Sequence, residues 1–164
     1  MRWATSRTFI YDDRIDVTRR AAMFAEATFV PVPAKDHKTV NAYLGAMADK
    51  NGRLLAAGKL YKVDGPVDMP VEQFWSLTVY DRATWAFIYS ESNRTTRSSY
   101  DLPDMKKNPN GSVSLYVGPE APEGSESNWI PTRGKRPLPV FRFYGATEAL
   151  HNKTFKMPDF EEVK

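Results

Sequence analysis

The fold of this chain is decided at residues 74–81, which read Phe74-Trp75-Ser76-Leu77-Thr78-Val79-Tyr80-Asp81. The run is rich in aromatic and β-branched residues, which fit the pleated surface of a sheet. Side chains alternate across a strand, so Trp75, Leu77 and Val79 share one apolar face. The other face carries Phe74, Ser76, Thr78 and Tyr80. We therefore predict a strand that is partly covered on both faces.

Four more segments have the same character and are separated by Gly, Pro, Asn and Asp. They are residues 60–63, 85–89, 113–117 and 140–144. Asn51-Gly52 and Asn110-Gly111 predict tight turns, because both residue types tolerate positive φ. Long polar connections at 91–109 and 118–136 favour a sandwich with crossing loops over a plain meander.

The N-terminal part of the sequence has a different period. Apolar residues recur at three- and four-residue spacing over residues 17–29, behind Asp16, a residue type that caps helices. The helix is expected to end before Pro31, and a weaker segment covers residues 38–47. We predict a mainly β sandwich with one N-terminal α-helix. It forms a single domain over 1–164, with a helical lead-in at about 1–48 and the sandwich at about 49–164.

Composition excludes several classes of function. The 164 residues carry 23 basic and 20 acidic side chains scattered along the chain, which does not indicate nucleic-acid binding. There is no cysteine, and the two histidines, His37 and His151, lack a neighbouring ligand pattern, so we expect no metal site and no cofactor. We expect a soluble chain without a membrane partner, because no apolar stretch reaches the roughly 20 residues that cross a bilayer. We expect no signal peptide, because Met1-Arg2-Trp3-Ala4 lacks the apolar run of one.

Several spaced motifs occur in a fixed order along most of the sequence. Besides residues 74–81 they are Tyr43-Leu44-Gly45-Ala46, Asn93-Arg94, Asn108-Pro109-Asn110-Gly111-Ser112, Glu126-Ser127-Asn128-Trp129-Ile130-Pro131 and Phe141-Arg142-Phe143-Tyr144-Gly145. Together they resemble the DUF1214 family. The resemblance implies a β jelly-roll, usually found behind an N-terminal DUF1254 domain in bacterial proteins that are often exported, which allows a periplasmic location. It implies no established reaction.

The start of the sequence lies close to the predicted helix and leaves no room for a DUF1254 domain. We therefore expect either a stand-alone version of the DUF1214-like domain or a fragment of a two-domain protein.

Two pairs of neighbouring residues are candidates for a binding site. Tyr80 and Asp81 end the best strand, where a rigid element holds polar groups, although Asp also commonly opens a β-turn. Asn128 and Trp129 could give a stacking ring beside an amide, which suits sugars and flat ligands. Alternatively, the indole belongs to the core and the amide ties its own loop.

A third candidate group lies on the long loop after residue 89. It contains Asn93, Arg94, Arg97 and Tyr100. The planar guanidinium suits carboxylate or phosphate, and Asn and Tyr can orient a small polar ligand. The alternative is that Arg94 pins the loop by donating to backbone carbonyl oxygens.

The leading hypothesis is a non-catalytic module that binds a small polar or sugar-like ligand, or a protein partner, through these residues. One alternative is a hydrolase or lyase with Asp81, Glu91 or Asp101 as acid or base and a tyrosine assisting. The other is a structural domain that forms a homo-oligomer, because an uncovered apolar sheet face is a liability for a monomer.

Overall fold

The computed structural model describes residues 10–11, 14–15, 18 and 41–163. The chain divides into two compact units, Met1–Ala34 and Lys35–Lys164. In the first unit, β1 (Ile10–Tyr11) and β2 (Arg14–Ile15) pair antiparallel. The second unit contains the remaining described strands.

The strands of the second unit form two four-stranded sheets. In chain order they are β3 (Ala42–Gly45), β4 (Leu60–Gly65), β5 (Val71–Asp81), β6 (Thr96–Ser98), β7 (Val113–Gly118), β8 (Trp129–Pro131), β9 (Pro137–Ala146) and β10 (Glu161–Val163). Sheet I has the order β3-β9-β5-β6 and is antiparallel. Sheet II has the order β10-β4-β7-β8, with β7 and β8 parallel. The prediction of a mainly β chain is confirmed.

Side chains from both sheets meet in one hydrophobic cluster. In sheet I, Trp75 of β5 lies opposite Phe143 of β9, and Leu77 lies opposite Phe141. Leu115 of β7 brings sheet II into the same cluster. Further members from the two sheets are Tyr61, Val63, Val79, Val113, Val117 and Ile130. Full burial of one such aliphatic or Phe side chain contributes about 1.5–3 kcal/mol, so this core stabilises the contact between the sheets.

Most of the predicted strands and turns are present. Residues 60–63, 74–80, 113–117 and 140–144 lie within β4, β5, β7 and β9. In β5, Ser76 and Thr78 are buried on the face opposite the core, as the alternation predicted. Gly52 and Gly111 have φ of 75° and 83°, which confirms the two tight turns.

The prediction of a strand at residues 85–89 is wrong, because a turn redirects the chain there. The Trp85 N–H donates to the Asp81 carbonyl oxygen at 2.7 Å, and the Ala83 N–H donates to the Asp81 carboxylate at 3.0 Å. Trp85 has φ of 59°, in the left-handed region, which interrupts extended backbone. An isolated bridge from Phe87 to Tyr80 is the pairing that remains in this segment.

The helical content also differs from the prediction. Residues 42–45, which were expected in the helical lead-in, form β3, because pairing with the long strand β9 outweighs a weak local pattern. A single turn, Glu148–His151, forms an α-helix near the C-terminus. The predicted N-terminal helix at 17–29 lies outside the described residues apart from Thr18, which is helical.

One buried side chain connects the two long loops. Asn128 is 1% exposed, and its Oδ1 accepts from the Lys106 N–H and the Ser127 hydroxyl, both at 2.8 Å. Its Nδ2 donates to the carbonyl oxygens of Lys106 at 2.8 Å and Ser114 at 2.9 Å. The amide therefore joins the loop before β7, β7 itself and the segment that leads into β8.

We expect Asn128→Ala to lower the free energy of unfolding by about 2–3 kcal/mol, because two carbonyl oxygens lose their buried donor. Urea unfolding followed by tryptophan fluorescence measures the change. Asn152→Ala is the control, since Asn152 is exposed and its side chain bonds locally to Thr154. Equal losses in the two variants would contradict the connecting role of Asn128.

Thr132 is 1% exposed, and its hydroxyl has no hydrogen-bond partner among the described residues. Thr132→Val should raise the free energy of unfolding by about 1 kcal/mol, because it removes an unpaired buried hydroxyl and keeps the shape. Thr78→Val is the matched variant, since the buried Thr78 hydroxyl lies 3.2 Å from that of Thr96. It should destabilise the protein. Thermal unfolding compares the two, and a loss of stability in Thr132→Val would refute the expectation.

Candidate functional site

Polar and aromatic side chains gather on the face of sheet I that points away from the core, here called the outer face. The register places four of them in one row across the sheet, namely Tyr43, Arg142, Ser76 and Ser98. In the adjacent row Tyr144 lies opposite Phe74. Tyr80 lies further along β5 on the same face. All four strands of sheet I therefore contribute to the surroundings of Arg142.

Arg142 is a half-buried cation without a carboxylate partner in the described part of the chain. Its Nη2 donates to the Tyr80 hydroxyl, and its guanidinium carbon lies 5.7 Å from the centre of the Tyr80 ring. Its Nε is buried and has no hydrogen-bond partner among the described residues. None of the ion pairs found there includes Arg142. The guanidinium can therefore accept an anion.

The tyrosines around Arg142 are neutral hydrogen-bonding groups. Burial raises the pKa of Tyr43, and the neighbouring Tyr144 hydroxyl raises it further. Burial also raises the pKa of Tyr80, although the charge of Arg142 acts in the opposite direction. Both phenols therefore stay protonated at neutral pH and can donate to an anionic ligand.

Aromatic rings form the rim of this site. The rings of Phe74 and Tyr144 stack at 4.2 Å with an angle of 11°, and Phe74 also contacts Tyr100 at 5.2 Å. At the other end, Tyr80 stacks on Phe87 at 5.0 Å. Tyr100 is 73% exposed and Phe87 is 58% exposed, so both residues are accessible from solvent. Such rings can stack on a flat or sugar-like ligand.

The structure separates the neighbouring candidates Tyr80 and Asp81. Tyr80 belongs to the outer face, and Tyr100 lies at its rim. Asp81 is buried, and its carboxylate accepts from the Ala83 N–H at 3.0 Å and the Thr84 hydroxyl at 3.4 Å. These contacts are those of a turn residue.

The other predicted residues come together at a second place. Arg94 Nη1 donates to the carbonyl oxygen of Glu126 at 2.6 Å and to that of Trp129 at 3.4 Å. The Trp129 indole donates to the Gly118 carbonyl oxygen at 3.0 Å. Asn93 adopts φ of 49° in a turn. The loop of Asn93 and Arg94 therefore lies against the segment of Asn128 and Trp129, and the side chains of Arg94, Asn128 and Trp129 bond to backbone there.

Two of the carboxylates proposed for catalysis, Asp101 and Glu91, have partners within the protein. Asp101 accepts from the Ser98 N–H at 2.7 Å, and Glu91, whose side chain is 93% exposed, lies 3.8 Å from Arg133. Within the described ranges, no group of three or more His, Asp or Glu residues could hold a metal ion. The same part of the chain has no helix with the length and apolar character that crossing a membrane requires.

We call Tyr43, Tyr80, Arg142 and Tyr144 the outer-face cluster. Three of these four residues were not among the sequence candidates, namely Tyr43, Arg142 and Tyr144. A signal for one of them exists in the sequence. Arg142 stands between Phe141 and Phe143. A single charged residue in an otherwise aromatic strand is unusual, which makes it a candidate for a binding role. Tyr43 and Tyr144 reach the cluster through the pairing of β3 with β9, two strands that lie far apart in sequence. The pattern within either strand does not show which strand it pairs with.

Two solved structures have similar folds. The VPA0106 protein of Vibrio parahaemolyticus is 24% identical with a TM-score of 0.69, and the match covers 87% of this chain and 35% of that one. An uncharacterized protein of Burkholderia cenocepacia is 19% identical with a TM-score of 0.52, over 76% of this chain and 30% of that one. This chain thus spans about a third of their length. No curated protein matches the sequence.

A match to a family model extends over most of the chain. Residues 40–148 match the model of DUF1214, described as a protein of unknown function. The matched segment runs from β3 to β9 and includes Tyr43, Tyr80, Arg142 and Tyr144. The chain therefore belongs to the DUF1214 family.

Proposed function

We propose that this domain is a non-catalytic binding module whose outer face on sheet I holds a small polar ligand with a carboxylate group. The observation that carries the proposal is the half-buried Arg142 guanidinium, which has no carboxylate partner among the described residues. A cation that is partly removed from water loses solvation energy, and attraction to a bound anion offsets that loss.

The surroundings of Arg142 favour a carboxylate over a simple halide ion. A guanidinium presents N–H groups in a planar fork that matches the two oxygens of a carboxylate. The hydroxyls of Tyr43 and Tyr80 can add neutral donors. The exposed ring of Tyr100 offers a stacking surface for the ligand's ring or sugar face.

We further propose that the two sheets form a jelly-roll-like sandwich. The repeated passage of the chain between sheets I and II and the shared core support this. A single domain over 1–164 stays a prediction from chain length. An accompanying DUF1254 domain and a bacterial, periplasmic setting are what the family resemblance implies. Binding to a protein partner and homo-oligomer formation stay predictions.

The binding proposal predicts that carboxylates raise the melting temperature of the protein, because a ligand that binds the folded state stabilises it. Isothermal titration with acetate, benzoate and a uronic acid identifies the best probe. Arg142→Gln should weaken its binding about 10- to 100-fold, as expected for losing a charged hydrogen bond of about 1.5–3 kcal/mol.

The matched control is Lys135→Gln, which removes an exposed cation and should leave binding unchanged. Tyr80→Phe keeps the ring beside Arg142 and removes the hydroxyl, so it should weaken binding less than Arg142→Gln. Unchanged affinity in Arg142→Gln, or no response of the wild type to any carboxylate, would refute the proposal.

The half-buried tyrosines Tyr43 and Tyr80 predict a dependence of stability on alkaline pH. Their folded-state pKa lies above the ordinary value of 10.0, so the fold binds the phenol proton more tightly than the unfolded chain does. This stabilisation is complete below about pH 10 and is lost as pH rises through the folded-state pKa. We therefore expect the free energy of unfolding, measured with urea between about pH 9 and 11.5, to fall less steeply with pH in Tyr80→Phe than in the wild type. Tyr89→Phe, at a 79% exposed position, is the control and should match the wild-type slope.

A further inference from the structure

Arg97 is a second half-buried cation, and it lies on the opposite face of sheet I from Arg142. It pairs with Leu77 across β5 and β6, and Leu77 belongs to the core face. Its Nε is buried without a hydrogen-bond partner among the described residues. Nor does its side chain form an ion pair in the part of the chain that the structure describes.

The electrostatic surroundings of Arg97 leave its charge incompletely balanced. Burial lowers the pKa of its guanidinium, and the positive charge of Arg94 lowers it further. Asp101 and Asp104 act in the opposite direction but do not reverse the shift. A guanidinium stays charged in proteins, so the imbalance cannot be relieved by loss of a proton.

Asp101, which is closer to Arg97 in sequence than Asp104 is, accepts hydrogen bonds from another residue. Asp101 Oδ2 accepts from the Ser98 N–H at 2.7 Å and from the Ser98 hydroxyl at 3.1 Å, which closes the short 3-10 helix Ser99–Asp101. Among the described residues, no ion pair joins Asp101 to Arg97.

Arg94 is fixed at the same place by backbone contacts. Its Nη1 donates to the carbonyl oxygens of Glu126 and Trp129, which are neutral. Within the described ranges, Arg94 forms no ion pair. Trp129 begins β8, the edge strand of sheet II, and β6 is the edge strand of sheet I. These two edge strands lie against each other. The seam between the sheets thus carries two guanidinium groups.

We propose that Arg94 and Arg97 form an anion site at the seam between β6 and β8 that binds a phosphate-type oxyanion. Two neighbouring guanidinium groups can share a doubly charged tetrahedral anion through several N–H donors. A singly charged carboxylate would balance one of the two charges. This site is independent of the outer-face site, because Arg97 and Arg142 lie on opposite faces of sheet I.

The test uses the whole chain with inorganic phosphate as the probe, starting from a phosphate-free buffer. The wild-type melting temperature should rise by about 5–10 °C at a phosphate concentration about 100-fold above Kd. Arg97→Met should melt at the wild-type temperature or above it without phosphate, because an unbalanced cation is gone. It should lose the rise caused by phosphate.

Two controls separate the sites. Arg136→Met, at an exposed position, and Arg142→Gln should both keep the phosphate response. The comparison with acetate uses the Arg142→Gln variant, which lacks the outer-face site. In that variant, the apparent affinity for acetate at the same ionic strength should be at least tenfold weaker than that for phosphate. A phosphate response that survives in Arg97→Met, a wild type that does not respond to phosphate, or equal responses of Arg142→Gln to acetate and phosphate would each overturn the proposal.

Discussion

β5 and β9 form the centre of sheet I, because β3 and β6 lie outside them. Their register places Trp75 opposite Phe143 in the core and, one residue along, Ser76 opposite Arg142 on the outer face. A slip of one residue would exchange the two faces and drive the guanidinium into the core. The hydrophobic core and the outer-face cluster are therefore fixed by a single register, and neither can change without the other.

Both faces of sheet I carry a side chain that lowers the stability of the fold. Each has an arginine at a partly buried position, Arg142 on one face and Arg97 on the other, with a buried Nε that has no partner among the described residues. A buried polar atom without a hydrogen bond lowers the stability of the folded protein. Proteins most often keep such unfavourable groups at functional sites. Apolar side chains of similar size at the same strand positions would stabilise the fold more. The anion binding that we propose would give these two arginines a physical purpose that packing does not.

Much of the fold could be predicted from the sequence, because long central strands such as β5 carry their own alternation. Short edge strands such as β3 and β6 could not, since pairing with a neighbour, not a local pattern, makes them extended. Of the candidate site, Tyr80 was found as a polar group at a strand end. Tyr43 and Tyr144 were not, because they meet only through the register of β3 with β9 and β9 with β5.

The pairing of Ala42 with Phe143 joins strands from opposite ends of the second unit's sequence. During synthesis, β3 and one edge of β5 must wait until β9 has left the ribosome. Contacts between residues far apart in sequence slow folding, and an unpaired hydrophobic strand edge is prone to aggregation in the meantime. The nascent domain is therefore most vulnerable just before its last quarter emerges, and its yield in cells should depend on chaperones that shield β5 during that interval.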